Sequence, residues 1–285
     1  MPIPKNLFVY WENLYDRPTP PFIQYCLDSF QRCGEDVNVV FVNSKNIDEL
    51  LEGAELHDNW RVIQDIPQRV DCLRVAIVRK YGGMYVDADT VITRPLGHLF
   101  ENDNDINLMK WSFNNRLINA YFTAKRGSVF LTNVLNQINT ILAHECGNFY
   151  NKCGGVYLGE HVFEIAAQSC PYTLIPRETF IPYEFPFNVN CWYGNEQIDW
   201  FVRPETVGIA LNLSQYEWTF RMQPVEAHMV INSLFGSVFR YSEKVGQLMP
   251  EFIRIPEHMK DYPRIPTKEE AQELEKIKAN NRNPY

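Results

Sequence analysis

The sequence predicts an α/β fold with a mixed, mainly parallel central sheet and an irregular C-terminal lobe. Two observations predict the sheet: strand-like and helix-like runs alternate through residues 1–100, and the connections between them are short. A strand, a crossover helix and a second strand normally give parallel neighbours. A third observation predicts the lobe, since residues 180–220 are dense in proline and aromatic side chains. That composition favours short strands and irregular structure. At 285 residues the chain can bury a sizeable core as one domain with a lobe.

Taken in order, Leu7–Trp11 reads as the first strand. Pro20-Pro21 opens a helix whose apolar residues Phe22, Tyr25, Cys26, Phe30 and Cys33 recur at helical spacing. The β-branched run Val37–Val42 is strand-like. Asn46, with Glu49 three residues on, predicts a capping box for a short helix through Leu51. A longer helix runs from about Pro67 to Tyr81, with Val70, Leu73, Ile77, Val78 and Tyr81 on one face. Gly82-Gly83 ends it, glycine accepting the left-handed conformation of a helix C-terminus. Met84–Ile92 then reads as one strand and Ser128–Ala143 as a helix. Past Pro256 the chain is polar, and Thr267 with Glu270 predicts a capped helix.

Composition narrows the function. With 45% hydrophobic and 22% charged residues the chain is an ordinary globular protein, neither disordered nor coiled coil. A net charge of −8 argues against a nucleic-acid binder, which needs a basic face to displace counterions. An acidic chain binds a phosphorylated ligand when a divalent cation supplies positive charge locally. The seven cysteines are odd in number and scattered, with no C-x-x-C pair, which predicts a reducing compartment without disulfide framework or zinc site. The opening Met1-Pro2-Ile3-Pro4-Lys5 lacks the apolar stretch of a signal peptide, and no run is long enough to span a bilayer. A cytoplasmic location is expected; the sequon Asn212-Leu213-Ser214 carries little weight without a secretion signal.

The chemistry concentrates between Arg69 and Asp89. On a strand, Tyr85, Asp87 and Asp89 would project together while Met84, Val86 and Ala88 face the core. Asp71 and Arg74 share a face of the preceding helix. Adjacent carboxylates repel unless a cation stands between them, and Mg²⁺ or Mn²⁺ takes one or two carboxylates plus phosphate oxygens. Arg74 adds a guanidinium suited to phosphate or carboxylate. A second Asp-x-Asp, Asp103-Asn104-Asp105, sits in an Asn-rich stretch and reads as a solvated turn.

Asp71-x-x-Arg74 followed by Tyr81-Gly82-Gly83-x-Tyr85-x-Asp87-x-Asp89 resembles the signature of glycosyltransferases with a DXD sugar-binding region. These include the family-32 enzymes, bacterial capsular polysaccharide synthesis proteins and the glucosyltransferase domains of large clostridial toxins. Ile3-Pro4-Lys5 with Tyr10-Trp11 is similar to the first strand of that group. The resemblance implies a GT-A, Rossmann-like nucleotide-sugar-binding fold, a UDP-sugar donor, and Mn²⁺ or Mg²⁺. It implies that the aromatic of Tyr10-Trp11 stacks on the base and that Tyr85 lines the nucleotide pocket. Asp71 and Arg74 would contact donor ribose, sugar or phosphate, Asp87 ribose and metal, and Asp89 the metal. Ile118–Ala124 is similar to a segment that brings a polar side chain, here Asn119, to the donor sugar. Ala227-His228 through Asn232-Ser233 resembles an H-x-x-x-x-S-W motif that returns His228 and Ser233 to metal and diphosphate, although Leu234 replaces the tryptophan.

Residues 1–255 are then expected to form the transferase domain, with 1–100 as the nucleotide-sugar and metal half and 101–255 as the acceptor side. Residues 256–285 form a polar tail. Gly154–Gly159 is a candidate wall of an acceptor pocket, and Phe185, Phe187, Trp192, Tyr193, Trp200, Tyr216 and Trp218 are core or sugar-stacking aromatics. The expected reaction moves a sugar from a nucleoside diphosphate to a glycan hydroxyl. Retention follows from the resemblance, and the unplaced carboxylates Glu160, Asp199 and Glu226 keep inversion open. A metal-dependent nucleotidyltransferase or phosphodiesterase, and a non-catalytic nucleotide- or glycan-binding module, are the alternatives.

Overall fold

The computed structural model describes residues 2–13, 18–111, 114–144, 158–182, 198, 201–211, 224–230 and 234–245. Contacts divide the chain into two compact units, one of residues 1–14, 33–88 and 95–177, the other of 15–32, 89–94 and 178–285.

The first unit holds a six-stranded sheet of β1 (Asn6–Tyr10), β2 (Asn38–Val42), β3 (Gly83–Val86), β5 (Ile106–Lys110), β6 (Leu117–Ala124) and β7 (Thr173–Leu174). Its order is β2-β1-β3-β6-β5-β7. The pairs β1·β2, β1·β3 and β5·β7 are parallel, while β6 runs antiparallel to both β3 and β5. The expected mixed, mainly parallel sheet is thus observed.

Helix α3 (Ile66–Tyr81) packs on β1, β3 and β6, and against α4 (Val129–His144), which in turn packs on α5 (Glu160–Ala167). Phe8, Tyr85 and Phe122 stand side by side in the register of the sheet. They join Phe130 and Phe163 in one buried cluster. Met84 and Val86, pointing the other way, are equally buried, so β3 is covered on both faces.

Local chemistry sets the ends of α3. Asp65 accepts the Gln68 N–H at 3.0 Å as N-cap, and Pro67 sits in the first turn where no amide donor is needed. Gly82 closes the helix at φ 68°, a conformation costly for any residue with a Cβ.

Two local expectations change. Asn46 precedes α2 (Ile47–Leu51) but does not cap it. Its side chain instead accepts the Asn43 N–H and donates to the Phe41 carbonyl, tying down the turn after β2. The expected single strand Met84–Ile92 is two strands. The chain turns at Ala88 and Asp89, and β4 (Thr90–Ile92) pairs antiparallel with β8 (Gly208–Ala210) in a separate sheet.

That small sheet belongs to the second unit, with α1 (Pro21–Ser29) packed on β4. Alongside lie α6 (Val225–Met229) and α7 (Leu234–Val245). Arg32 binds the Ile92 and Ser242 carbonyls and pairs with Glu243 at 3.6 Å, and Tyr25 also binds Glu243. No helix among the described residues is long and apolar enough to cross a membrane, and Cys26, Cys33, Cys72 and Cys170 are free thiols.

Candidate active site

Topology brings the candidate residues of the first unit to one edge of its sheet. Strand β1 is parallel to β3, and β3 and β5 are both antiparallel to β6, so β1, β3 and β5 end at the same edge. The chain leaves β1 for β2 on one side and returns to β3 on the other. Such a reversal opens a crevice beyond the strand carboxyl ends, where open α/β sheets bind ligands. Trp11 follows β1 there, Asp87 follows β3 and Trp111 follows β5.

Arg74 of α3 is the hub of this edge. Its guanidinium reaches Asp71 Oδ1 at 3.0 Å, Asp87 Oδ1 at 3.4 Å and the Asn119 carbonyl at 3.0 Å, and lies 4.6 Å from the centre of the Tyr85 ring. Asn119 Nδ2 donates to Asp71 Oδ1 at 2.7 Å. The local path of β6 makes this possible. Between the pairs Asn107–Thr123 and Met109–Ile118, one residue of β5, Leu108, faces four of β6, residues 119–122. A bulge frees backbone groups from the ladder and re-aims side chains.

Electrostatics follow burial. Desolvation pushes the Asp71 carboxyl up to about 6, against the opposing pull of Arg74 and Asn119. Burial works against the Arg74 cation, yet Asp87, Tyr85 and Asp71 together hold its pKa above the ordinary value. The two ends of this pair differ because Arg74 has several partners to offset burial and Asp71 has few. Burial likewise raises the Tyr85 phenol, with Asp87 adding to it.

Beside this cluster, Glu12 accepts from Arg69 at 2.6 Å, just past β1. Nothing in the sequence announced that pair, because its members are 57 residues apart. Tyr10 is buried in the core, its phenol raised by desolvation and then by Glu12. Trp11 is half-buried at the strand end, its indole N–H bonded to Asn13 Oδ1 at 2.9 Å. Of the two aromatics expected at the base, Trp11 is therefore the more accessible.

Asp87 keeps 34% of its side chain exposed. It lies in a turn rather than on the expected strand, as does Asp89, whose backbone carbonyl accepts the Leu211 N–H within the second unit. The strand ends at Val86, so alternation no longer decides which way these carboxylates face. His228 is buried in that second unit, its ring 5.0 Å from Phe235, 6.2 Å from Phe239 and 6.4 Å from Phe22. Ser233, Gly154 to Val156, Tyr157, Asp199, the seven candidate stacking aromatics and the tail lie outside the described residues.

The donor set suits a hard divalent ion. Asp71, Arg74 and Asp87 carry two negative charges against one positive, and Asp87 is partly open. Among the described residues no three His, Cys, Asp or Glu side chains group around a metal position. An ion held here would take one or two carboxylates and complete its shell with phosphate oxygens and water, as Mg²⁺ commonly does. Asp103-Asn104-Asp105 has another role. Asp105 accepts the Phe130 N–H at 3.0 Å and the Ser128 hydroxyl at 2.8 Å, capping α4, while Asp103 is exposed beside Lys125.

Sheet order and the reversal between β1 and β3 make this a mixed α/β fold of the kind that binds ligands at the strand carboxyl ends, where the cluster stands. The chain belongs to the family of capsular polysaccharide synthesis proteins, whose model matches residues 2–151. Among solved structures it is similar to the PaToxG glycosyltransferase at 16% identity, over 58% of this chain and 69% of that one, with TM-score 0.39. The apo form of the glycosyltransferase GlyE of Streptococcus pneumoniae TIGR4 is similar at 13% identity, over 83% and 59%, with TM-score 0.47. The match thus spans about three-fifths of that chain. The galactosyltransferase LgtC, solved with donor and acceptor sugar analogues, is similar at 9% identity, over 90% and 99%, with TM-score 0.45. No protein in the search of curated proteins matches the chain.

Proposed function

We propose that the protein is a metal-dependent transferase that moves a sugar from a nucleoside diphosphate, UDP-linked, to a hydroxyl of a glycan acceptor with retention, in surface polysaccharide synthesis. The observation that carries this reading is the Asp71–Arg74–Asp87–Asn119 cluster at the carboxyl ends of β1 and β3. Trp11 offers a face for the base. Arg74, held by two carboxylates, keeps a cation where diphosphate charge would lie. Asp71 and Asn119 hold Arg74 in place and offer polar atoms to the donor ribose or sugar. Asp87 and Asp89, two apart in the turn, are the proposed holders of Mn²⁺ or Mg²⁺, with His228 and Ser233 as further candidates. When bound, the metal supplies Lewis-acid stabilisation of the departing diphosphate.

Residues 1–100 then form the donor half and 101–255 the acceptor half. The scattered cysteines suit work in a reducing compartment such as the cytoplasm. The test is a panel of nucleotide sugars incubated with Mn²⁺ or with EDTA. Metal-dependent release of UDP together with free sugar or glycoside is expected. Nucleoside monophosphate would mark a nucleotidyltransferase or phosphodiesterase instead. Binding of UDP with no turnover of any donor would mark a non-catalytic module.

A further inference from the structure

Tyr85 is 2% exposed, so it acts on a bound donor only through the side chains around it. The sheet sets its place: β3 runs between β1 and β6, and Tyr85 stands between Phe8 and Phe122 in register. Phe122 stacks on it at 24° with ring centres 6.2 Å apart, and meets Phe163 edge-on at 5.5 Å. Rings packed in series have little room to tilt, because protein cores are filled to crystal-like density. The Tyr85 ring is therefore a firm surface beneath α3, which packs on this face of β3.

Over that ring lies the Arg74 guanidinium, its carbon 4.6 Å from the ring centre. The Arg74 side chain is 7% exposed, and a buried cation gains more from an aromatic face than an exposed one does. The nitrogens of Arg74 make the remaining contacts. Nε donates to the Val70 carbonyl at 3.4 Å, Nη1 to the Asn119 carbonyl at 3.0 Å and Nη2 to Asp71 Oδ1 at 3.0 Å. Nη1 also faces Asp87 Oδ1 at 3.4 Å. Hydrogen bonds set how the planar fork is turned, and the ring sets how far it sinks toward the sheet. The Asp87 contact is longer than the Asp71 contact, so it is the first to be lost when the guanidinium shifts.

We propose that Tyr85 is a positioning residue for the donor: its buried ring backs the Arg74 guanidinium and keeps that cation in reach of Asp87, where diphosphate and metal charges would meet. This rests on the transferase reading above and adds to it a residue that acts without touching the donor.

The charge on a ring face can be changed with little change in ring shape. Tyr85→Phe serves as the reference, and mono-, di- and trifluorinated phenylalanine at the same position withdraw charge from the face step by step. UDP binding with Mn²⁺ is followed by calorimetry well below the Tm of each protein, so that a loss of stability alone does not move it. Affinity is expected to fall with each fluorine, by about tenfold across the series. The same series at Phe122, which stacks on Tyr85 rather than on Arg74, should leave affinity within about twofold. Tyr85→Leu removes the ring altogether and should lose at least as much, which gives a second measurement should the fluorinated proteins fail to fold. A flat series at Tyr85, or an equal slope at Phe122, overturns the positioning role while the donor reading stands. Complete loss already in Tyr85→Phe assigns the role to the hydroxyl and overturns it likewise. A wild type that binds no UDP overturns the donor reading, and the positioning role with it.

Discussion

Asp71 is buried, and Arg74, the cation it pairs with, is shared with Asp87. Burial therefore prevails, and its folded pKa of about 6 stands above the ordinary 3.8. An acid raised in this way contributes most to stability below its unfolded pKa, and loses that contribution as pH climbs through the folded one. The window runs from about pH 4 to about pH 6. Asp71→Asn removes the titration, so urea denaturation at pH 4.5 and 6.5 should show a smaller loss than in wild type, by on the order of 2 kcal/mol. Identical pH profiles for the two proteins would remove Asp71 as the source. Asn119→Ala takes away the donor at 2.7 Å and should cost about 1–3 kcal/mol at pH 7, the range for orphaning a buried charged acceptor. Its donor affinity should fall as well, because Arg74 also leans on the Asn119 carbonyl through a bulge that the side chain helps to set.

Elements hold these residues in place, and their ends are set by single side chains. Asp105 lies 24 residues before Val129 in sequence distance yet accepts its N–H at 3.2 Å, besides that of Phe130. Asp105→Ala should cost about 1–2 kcal/mol in urea denaturation, as loss of an N-cap does. Asp103→Ala, two residues away and exposed, should stay within about 0.5 kcal/mol. Equal effects would deny the cap. Gly83 starts β3 at φ 127°, and a Cβ there would sit 2.3 Å from the Asn6 carbonyl of the neighbouring strand. Gly83→Ala should therefore destabilise by more than about 2 kcal/mol.

Helix α3, its glycine stop and strands β1 to β3 were legible in the sequence, because their patterns are local: 3.6-residue apolar spacing, Pro at the start, Gly-Gly at the end. The break at Ala88–Asp89 was not. Met84 to Ile92 alternates well enough for one strand, and only pairing with Gly208–Ala210, far along the chain, decides that β4 belongs to another sheet. Asp71 and Arg74 were identifiable as neighbours by their i,i+3 spacing, whereas Glu12–Arg69 and Trp111–Glu160 join distant segments and leave no local trace.

For the molecule as a whole, Asp87 and Asp89 stand two apart in the turn that follows β3, and they are the pair proposed to hold the metal. A ligand that needs both Asp87 and Asp89 would bind only the folded chain with that turn formed, so it should raise global stability by mass action. At a free ligand concentration of about one hundred times Kd the gain is about 2.7 kcal/mol. For a chain of this size that corresponds to a rise in Tm of about 5–10 °C. UDP with Mn²⁺ should produce the rise, and UDP with EDTA only a small part of it, because the carboxylates would then repel the diphosphate. Asp89→Asn should keep the unliganded Tm within about 2 °C, its side chain being partly exposed, whereas Asp87→Asn also removes a charge partner of buried Arg74 and should lower it by about 2–5 °C. Each should also lose the metal-dependent rise. Asp103→Asn carries the same chemical change outside the site and should keep it in full. A Tm that climbs equally with and without metal, or that still climbs in both Asp87→Asn and Asp89→Asn, would place the nucleotide elsewhere and remove the turn from the donor site.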